Sequence, residues 1–395
     1  MDWGSGESRA MSRVITRRRA LKMIFASVAA AALSPAFHAR ARYLTSQASA
    51  REDARADDTN LWVWMGRAIH NLTFYEEPST RSKWMATVYR DQSFAITREV
   101  RAPYSAHNDR WYETPLGYVH SAWVLPVRVY PPQPTIGDVG AWGFWGEVIQ
   151  PWTEAYLEPS TGAHKVYRFY GGNVYHVVES FVDAAGTGWY KIFDEFPMQD
   201  PPYQWVLARD VRRIPRAEMA PIHPFVGEKR IEVDLNKQRL YCYEGTRLVY
   251  TTLVASGIGI QQVQVEREDE NGEVIVETVN VDLGTPVGDM AALLKQPSRH
   301  MTNRPMKPED PWPAVEVFDL PGIPWNCFFD TIGTAIHGAY WHNDFGVKRS
   351  HGCLNVSCEA ARWIYRWTYP IGGYEDDFVA GSYGVGTPIK IFEEA

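Results

Sequence analysis

Apolar positions along this chain fall mostly in short runs with a period of two, interrupted by Pro, Gly, Asn and Ser. That pattern predicts strands joined by tight turns. The clearest alternation lies between Ser256 and Thr285, where Val263 and Val265 precede, and Val274, Val276, Val279 and Val281 follow, an Asn271-Gly272 pair. Asn-Gly between alternating runs predicts a projecting β-hairpin with a two-residue turn. Seven prolines from Pro297 to Pro324, together with Trp312 and Trp325, predict a stiffened excursion over 297–326 that ends at a strand Cys327-Phe328-Phe329. One helix is predicted. Ser357 caps a run from Cys358 to Thr368, Trp363, Ile364 and Trp367 share its buried face, and Pro370 stops it.

Two segments repeat at an offset of about eighty residues. Gly66-Arg67-Ala68-Ile69 and Glu77-Pro78-Ser79-Thr80 are mirrored by Gly146-Glu147-Val148-Ile149 and Glu158-Pro159-Ser160-Thr161. Trp111-Tyr112 is mirrored by Trp189-Tyr190, and Gly117-Tyr118-Val119 by Gln204-Trp205-Val206. Each unit consists of short β-branched or aromatic runs between turn residues, as in small β-barrels. Residues 42–60, rich in Arg, Asp, Ala, Ser and Thr, predict a flexible tether.

Ahead of the tether, Thr16-Arg17-Arg18-Arg19-Ala20-Leu21-Lys22 is followed by an apolar run from Met23 to Leu33 and by Ala39-Arg40-Ala41. Residues 1–41 resemble a twin-arginine export signal. The apolar run is shorter than the roughly 20 residues of a membrane span, though uncleaved it would still anchor the chain. The expected location is therefore the periplasm, the outer cell surface or the wall. This segment carries seven Lys/Arg and two acids, so its removal takes the net charge from −7 to −12. An acidic mature chain excludes the electrostatic footprint of a nucleic-acid binder. Four cysteines in 395 residues are no disulfide framework, and reduced, buried thiols are expected.

The candidate chemistry lies near the C-terminus. Ala335-Ile336-His337-Gly338 is followed by eleven residues and then Ser350-His351-Gly352-Cys353-Leu354-Asn355. A histidine ending an apolar strand-like run is set against a cysteine in a polar turn. A thiol needs a base or a lowered pKa to become a nucleophile, and a Gly-Cys turn can supply backbone N–H donors to an oxyanion. His337, His342, His351, Cys353 and Cys358 are also zinc-ligand types, but no CxxC or HxxxH pair is present. A merely buried cysteine fits poorly with so polar a setting.

The stretch Ser350–Asn355 resembles the active-site signature of the L,D-transpeptidases, the YkuD-type cysteine enzymes of the bacterial cell wall. Four further landmarks are similar to that family's and fall in its order: Lys229–Leu235 with Gln238–Tyr241, then Ser256-Gly257, Thr285-Pro286-Val287-Gly288, and Val385–Ile391. The resemblance covers residues 228–395. The order of elements in 61–130 and 141–216 resembles bacterial SH3-like domains. The fold class implied is mainly β, with two SH3-like barrels preceding a YkuD-type β-sandwich that has a short helix after the nucleophile.

The resemblance implies a division of labour. Cys353 attacks a peptide carbonyl, and His337 is the base, oriented by the Gly338 carbonyl. The N–H groups of Gly352 and Cys353 hold the oxyanion. Ser350, His351, Asn355, Trp325 and Tyr340 are candidate substrate contacts, and the proline-rich excursion corresponds to a lid. His342 is expected to matter little. The implied donor is a peptidoglycan stem tetrapeptide that loses its terminal D-alanine, and carbapenem-type β-lactams would acylate Cys353. No metal or organic cofactor is implied. Hydrolysis of wall peptides by the same residues, as a carboxypeptidase or endopeptidase, and a catalytically silent wall-binding protein are the competing readings. Residues 228–395 are expected to work alone on soluble peptides, with the repeats either holding wall polymer or serving as spacers.

Overall fold

The computed structural model describes residues 64–394, apart from 129, 132, 196–201, 269–272, 306–312, 314 and 382–384. The export signal and the tether lie outside the described residues. Among the described residues no helix is long and apolar enough to cross a membrane.

Strands dominate throughout, as the period-two pattern requires. Between Trp64 and Arg128 eight strands form a three-stranded and a five-stranded sheet, and between Phe144 and Arg213 seven strands form one sheet. The opening strands of the two units are paired in the same way. Trp64–Ala68 pairs antiparallel with Ser93–Ile96 and Val124–Arg128, and Phe144–Val148 pairs likewise with Val174–Val182 and Val211–Arg213. The Pro-Ser-Thr turns match bond for bond. Ser79 N–H donates to Glu77 O at 2.7 Å and Ser160 N–H to Glu158 O at 2.7 Å. The glycine shared by the two opening strands has a steric cause. A Cβ on Gly66 would meet the Phe94 ring at 2.6 Å, and one on Gly146 would meet Val211 at 2.6 Å. Only glycine lets the neighbouring strands close over it.

The C-terminal segment has two five-stranded sheets. In the first, Lys229–Asp234 pairs antiparallel with Arg239–Glu244 and parallel with Pro388–Phe392. In the second, the order is 354–356, 335–338, 319–328, 294–302, 379–380. Helix Cys358–Trp367 packs on this second sheet, with Ser357 Oγ accepting from Ala360 N–H and Ile364 and Trp367 fully buried. Its C-terminal carbonyls are met by two buried lysines. Lys295 Nζ donates to Thr368 O at 2.9 Å, and Lys229 Nζ to Trp367 O at 2.8 Å. Cations suit that end of a helix.

The hairpin exists, as Gly259–Glu268 against Val274–Leu283 with Glu268 opposite Val274, and its Asn271-Gly272 turn lies outside the described residues. One expectation is corrected. Residues 297–302 and 319–326 are not loop. They lie in strands Leu294–Thr302 and Asp319–Phe328, paired antiparallel with a register shift between Arg299 and Met301. The prolines are tolerated because such an irregular ladder leaves positions that need no N–H donor. The expected lid is thereby narrowed to 303–318, of which 306–312 and 314 lie outside the described residues.

The hydrophobic core crosses the boundary placed near residue 228. Phe144, Tyr175 and Tyr190 of the second unit belong to one buried cluster with Trp325, Cys327 and Ile364. A polar clamp reinforces it. Fully buried His300 lies 2.9 Å from Asp194 of the second unit and 2.7 Å from Asp319. Burial opposes its charge, but the hydrogen bonds and charges of the two aspartates outweigh that and raise its pKa to about 9. A raised folded pKa stabilises most below the unfolded value of about 6.5. The contribution is lost as pH rises through about 9. His300→Gln leaves two buried carboxylates without their cation. It should cost about 3–5 kcal/mol at pH 6 by denaturant unfolding, and the difference from the parent should shrink at pH 10.

Candidate active site

The cysteine and the histidine meet through strand pairing. Ala335–Gly338 lies parallel to Leu354–Val356, with Ile336 opposite Leu354 and His337 opposite Asn355. Cys353 directly precedes that strand, so the pairing brings the turn that carries Cys353 to the end of the strand that carries His337. Cys353 is part-exposed at the mouth of the turn, with its Sγ 4.0 Å from Gly333 O. None of the four cysteines is in a disulfide, and Cys242 and Cys327 are fully buried.

His337 is 2% exposed, and its Nδ1 is 3.1 Å from Gly338 O. A carbonyl oxygen only accepts, so Nδ1 carries the ring proton and Nε2 is left as the base. Burial holds the imidazole neutral, with a pKa of about 4 that the Gly338 hydrogen bond only partly offsets. The Gly338 carbonyl thus sets the tautomer where other cysteine and serine enzymes use a side chain.

The nucleophile turn is built from three segments. Ser350 and Arg349 N–H groups donate to Ser256 O at 2.9 and 2.8 Å, and Asn355 N–H donates to Ala255 O at 3.0 Å. Thr285 Oγ1 accepts from Gly257 N–H and donates to Gly352 O, each at 2.8 Å. Ser256-Gly257 and the Thr-Pro-Val-Gly turn are therefore the supports of the cysteine loop. Ser350 Oγ donates to Cys353 O and accepts from Gly352 N–H at 3.1 Å.

That last bond corrects the oxyanion assignment. Gly352 N–H is engaged inside the turn, and what Gly352 supplies is a φ of +126°, a backbone state open to glycine. Trp325 is corrected too. It is 1% exposed and packs against Tyr365 in the core. Tyr340 is 2% exposed, donates to Pro321 O at 2.8 Å and offers its carbonyl to Arg67, so it is an interface residue. His351 is part-exposed, its ring 5.4 Å from that of Phe318, at the base of the proline-rich tip. Among the described residues no three His, Cys, Asp or Glu side chains converge as a metal site.

Sequence reasoning missed the buried chain that holds residues 339–349. His107 and Asn108 of the first unit contact Asp344 Oδ1 at 3.1 and 3.3 Å. Arg349 grips the other carboxylate oxygen through two nitrogens and stacks 4.3 Å over Trp123. Asp344 N–H donates to His342 Nδ1 at 3.3 Å, and His342 Nε2 is 3.1 Å from the Asn355 amide. Asn343 is held by Tyr112 OH and by the Ala122 carbonyl. Burial, then the Arg349 charge, depresses the His342 pKa to about 3. The segment links the two catalytic strands, so His342 is a support of the site and the expectation that it matters little is revised. Nothing in its spacing marked it, because Asp344 and Asn343 beside it are held by residues more than two hundred positions upstream.

Residues 228–391 match the model of the L,D-transpeptidase catalytic domain, of the YkuD type. No curated protein matches the chain. Among solved structures, an L,D-transpeptidase from Xylanimonas cellulosilytica is similar at 23% identity over 46% of this chain and 64% of its own, with a TM-score of 0.26. This chain thus spans less than two thirds of that protein. An L,D-transpeptidase from Mycobacterium smegmatis shows 16% identity over 62% of this chain and 100% of its own, with a TM-score of 0.28. An L,D-transpeptidase in complex with imipenem shows 14% identity over 52% and 91%, with a TM-score of 0.27.

Two outcomes are expected. With His337 neutral down to about pH 4, the acid limb of kcat/KM should lie near that pH and not near the free-histidine value of about 6.5. Between those values the unfolded chain binds more protons, so stability should fall as pH falls through the window. His337→Gln should cut acylation at least about a hundredfold and abolish the limb. Asp344→Asn keeps the shape but weakens the grip of Arg349. It should lower kcat by about ten- to a hundredfold, the cost of small misplacements, with KM little changed; a change confined to KM would refute a positioning role.

Proposed function

We propose that this chain is an exported L,D-transpeptidase that forms peptidoglycan crosslinks through a thioester on Cys353. The observation that carries the reading is the buried, neutral His337 with Nδ1 bound to Gly338 O, on a strand paired with the one that Cys353 directly precedes. Nε2 takes the thiol proton as Sγ attacks the carbonyl before the terminal D-alanine of a stem tetrapeptide. The imidazolium returns that proton to the departing D-alanine amine. The side-chain amine of a second stem then attacks the thioester, His337 accepts its proton, and the new amide forms as the thiol is regenerated. Cys353 N–H, at the turn held by Ser350 and Thr285, is the proposed oxyanion donor. Ser350 acts through the turn, and Asn355 through His342.

Export rests on Thr16–Lys22, which places the enzyme in the periplasm or wall with its substrate, and an uncleaved Met23–Leu33 run would keep it at the membrane. The repeated units at 61–130 and 141–216, read as SH3-like, hold the catalytic segment to the polymer as well as bracing it.

Intact-protein mass spectrometry with a carbapenem tests the nucleophile. The parent and Cys358→Ala should each gain one adduct, and Cys353→Ala none. Cys358 is a poor rival, because burial, with the charges of Glu147 and Glu359, pushes its thiol up to about 12. Incubation with stem tetrapeptide should release D-alanine and give crosslinked dimer. Release of tripeptide alone, even with an amine acceptor present, would replace the transferase reading with a hydrolase.

A further inference from the structure

The cleft where both N-terminal units meet the catalytic domain has no part in the roles assigned so far. Its volume is about 390 Å³, within the range of small-ligand sites. Four arginines line it, Arg67 and Arg90 from the first unit, Arg168 from the second and Arg304 from the catalytic segment, against one lining carboxylate, Asp319. That carboxylate is already engaged by His300 at 2.7 Å and by Arg304 at 3.4 Å. The chain as a whole is acidic, at −7, so a cluster of this sign does not follow from composition. In a concave site of low polarizability it concentrates anions.

The floor of the cleft is preorganised. Arg67 is 2% exposed, its guanidinium lies 4.0 Å over the Tyr170 ring, and it is pinned by Asp91 at 2.9 Å and by Tyr340 O at 2.7 Å, while its Nε has no partner. Arg168 is fixed by Asp91 and Glu154 at 3.0 and 2.7 Å. At the rim Arg90 is exposed and Arg304 is 41% exposed, so both can turn to a ligand. The cleft lies near the active site: Trp341 forms part of its wall and stands 5.8 Å, ring to ring, from His337.

We propose that this cleft binds a free carboxylate of the wall peptide whose carbonyl is presented to Cys353. Guanidinium forks suit a planar oxyanion, and the aromatic walls lead a peptide, more than a polyol phosphate, toward the histidine. The identity of the peptide rests on the transpeptidase reading; the recognition of a carboxylate does not. The cleft exists only because the N-terminal units dock on the catalytic domain, so it is a specificity element that this arrangement of units adds.

Calorimetric titration of the full chain carrying Cys353→Ala tests it, with a soluble stem tetrapeptide bearing free carboxylates and with its fully amidated counterpart. The free acid should bind at least about tenfold tighter, a typical return for a charge-assisted bidentate contact. Arg90→Gln with Arg304→Gln changes rim residues only. It should erase the preference while leaving the melting temperature unchanged. With Cys353 intact, the same pair should lower kcat/KM for the free acid by a similar factor and leave the amide unaffected. Equal binding of acid and amide, or a preference that survives the double substitution, would overturn the proposal. So would inorganic phosphate binding the parent more tightly than the free acid, which would assign the cleft to a phosphate polymer. If neither peptide is turned over yet the free acid still binds tighter, the cleft stands and the transpeptidase reading fails. If both are turned over equally well and bound equally, the reverse holds.

Discussion

The parallel pairing of Ala335–Gly338 with Leu354–Val356 is the constraint on which the rest depends. It brings the strand that carries His337 beside the strand that Cys353 precedes, and no short turn can join two parallel strands. The connection must travel away and return, and every buried backbone and side-chain polar group along it needs a partner. In many α/β proteins a helix does this. Here the connection is irregular, and its partners come from outside the catalytic sheets. Asp344 is met by His107, Asn108 and Arg349, Asn343 by Tyr112 and Ala122, and Tyr340 O by Arg67. The first unit is thus a structural part of the site, whatever else it binds.

Burial then tunes the chemistry. His337 and His342 lie in the same low-polarity surroundings and both are held neutral, at about 4 and about 3. The roles differ by hydrogen bonding. The ring proton of His337 is committed to Gly338 O, which leaves Nε2 as the basic nitrogen. His342 has both nitrogens occupied, by Asp344 N–H and by the Asn355 amide, and so can only support. Three other buried cations, Lys229, Lys295 and His300, tie the helix end and the second unit to the sheets through hydrogen bonds to carbonyls and carboxylates. Each is satisfied, which is what lets charged groups persist in a core.

The repeat was readable at the level of single residues. Gly66 and Gly146 stand where a Cβ would strike a crossing strand, and the two Pro-Ser-Thr turns share their bonds. Ser357 and Pro370 bounded the helix because capping is local. The alternating valines of 263–281 announced a hairpin, because period-two alternation is local. Proline density misled at 297–326, where an irregular ladder absorbs the missing donors. Trp325 and Tyr340 misled for another reason: an aromatic residue near a catalytic motif looks the same in sequence whether it faces a groove or a core.

By itself, then, the sequence determined the β-rich architecture, the doubled N-terminal unit, the helix behind the nucleophile, and the pair His337 and Cys353 with their glycines, because each of these is written in short-range spacing. Only the tertiary structure decided how the units dock, that the core runs across residue 228, that Gly352 spends its N–H inside the turn, and that His342, Asp344 and Arg349 brace the site from a distant surface. Most of these depend on meetings between residues far apart in the chain, and the local ones depend on a turn shape that such meetings hold in place. Their free energy comes from burial and from polar groups finding partners, and neither has a signature until the chain has closed on itself.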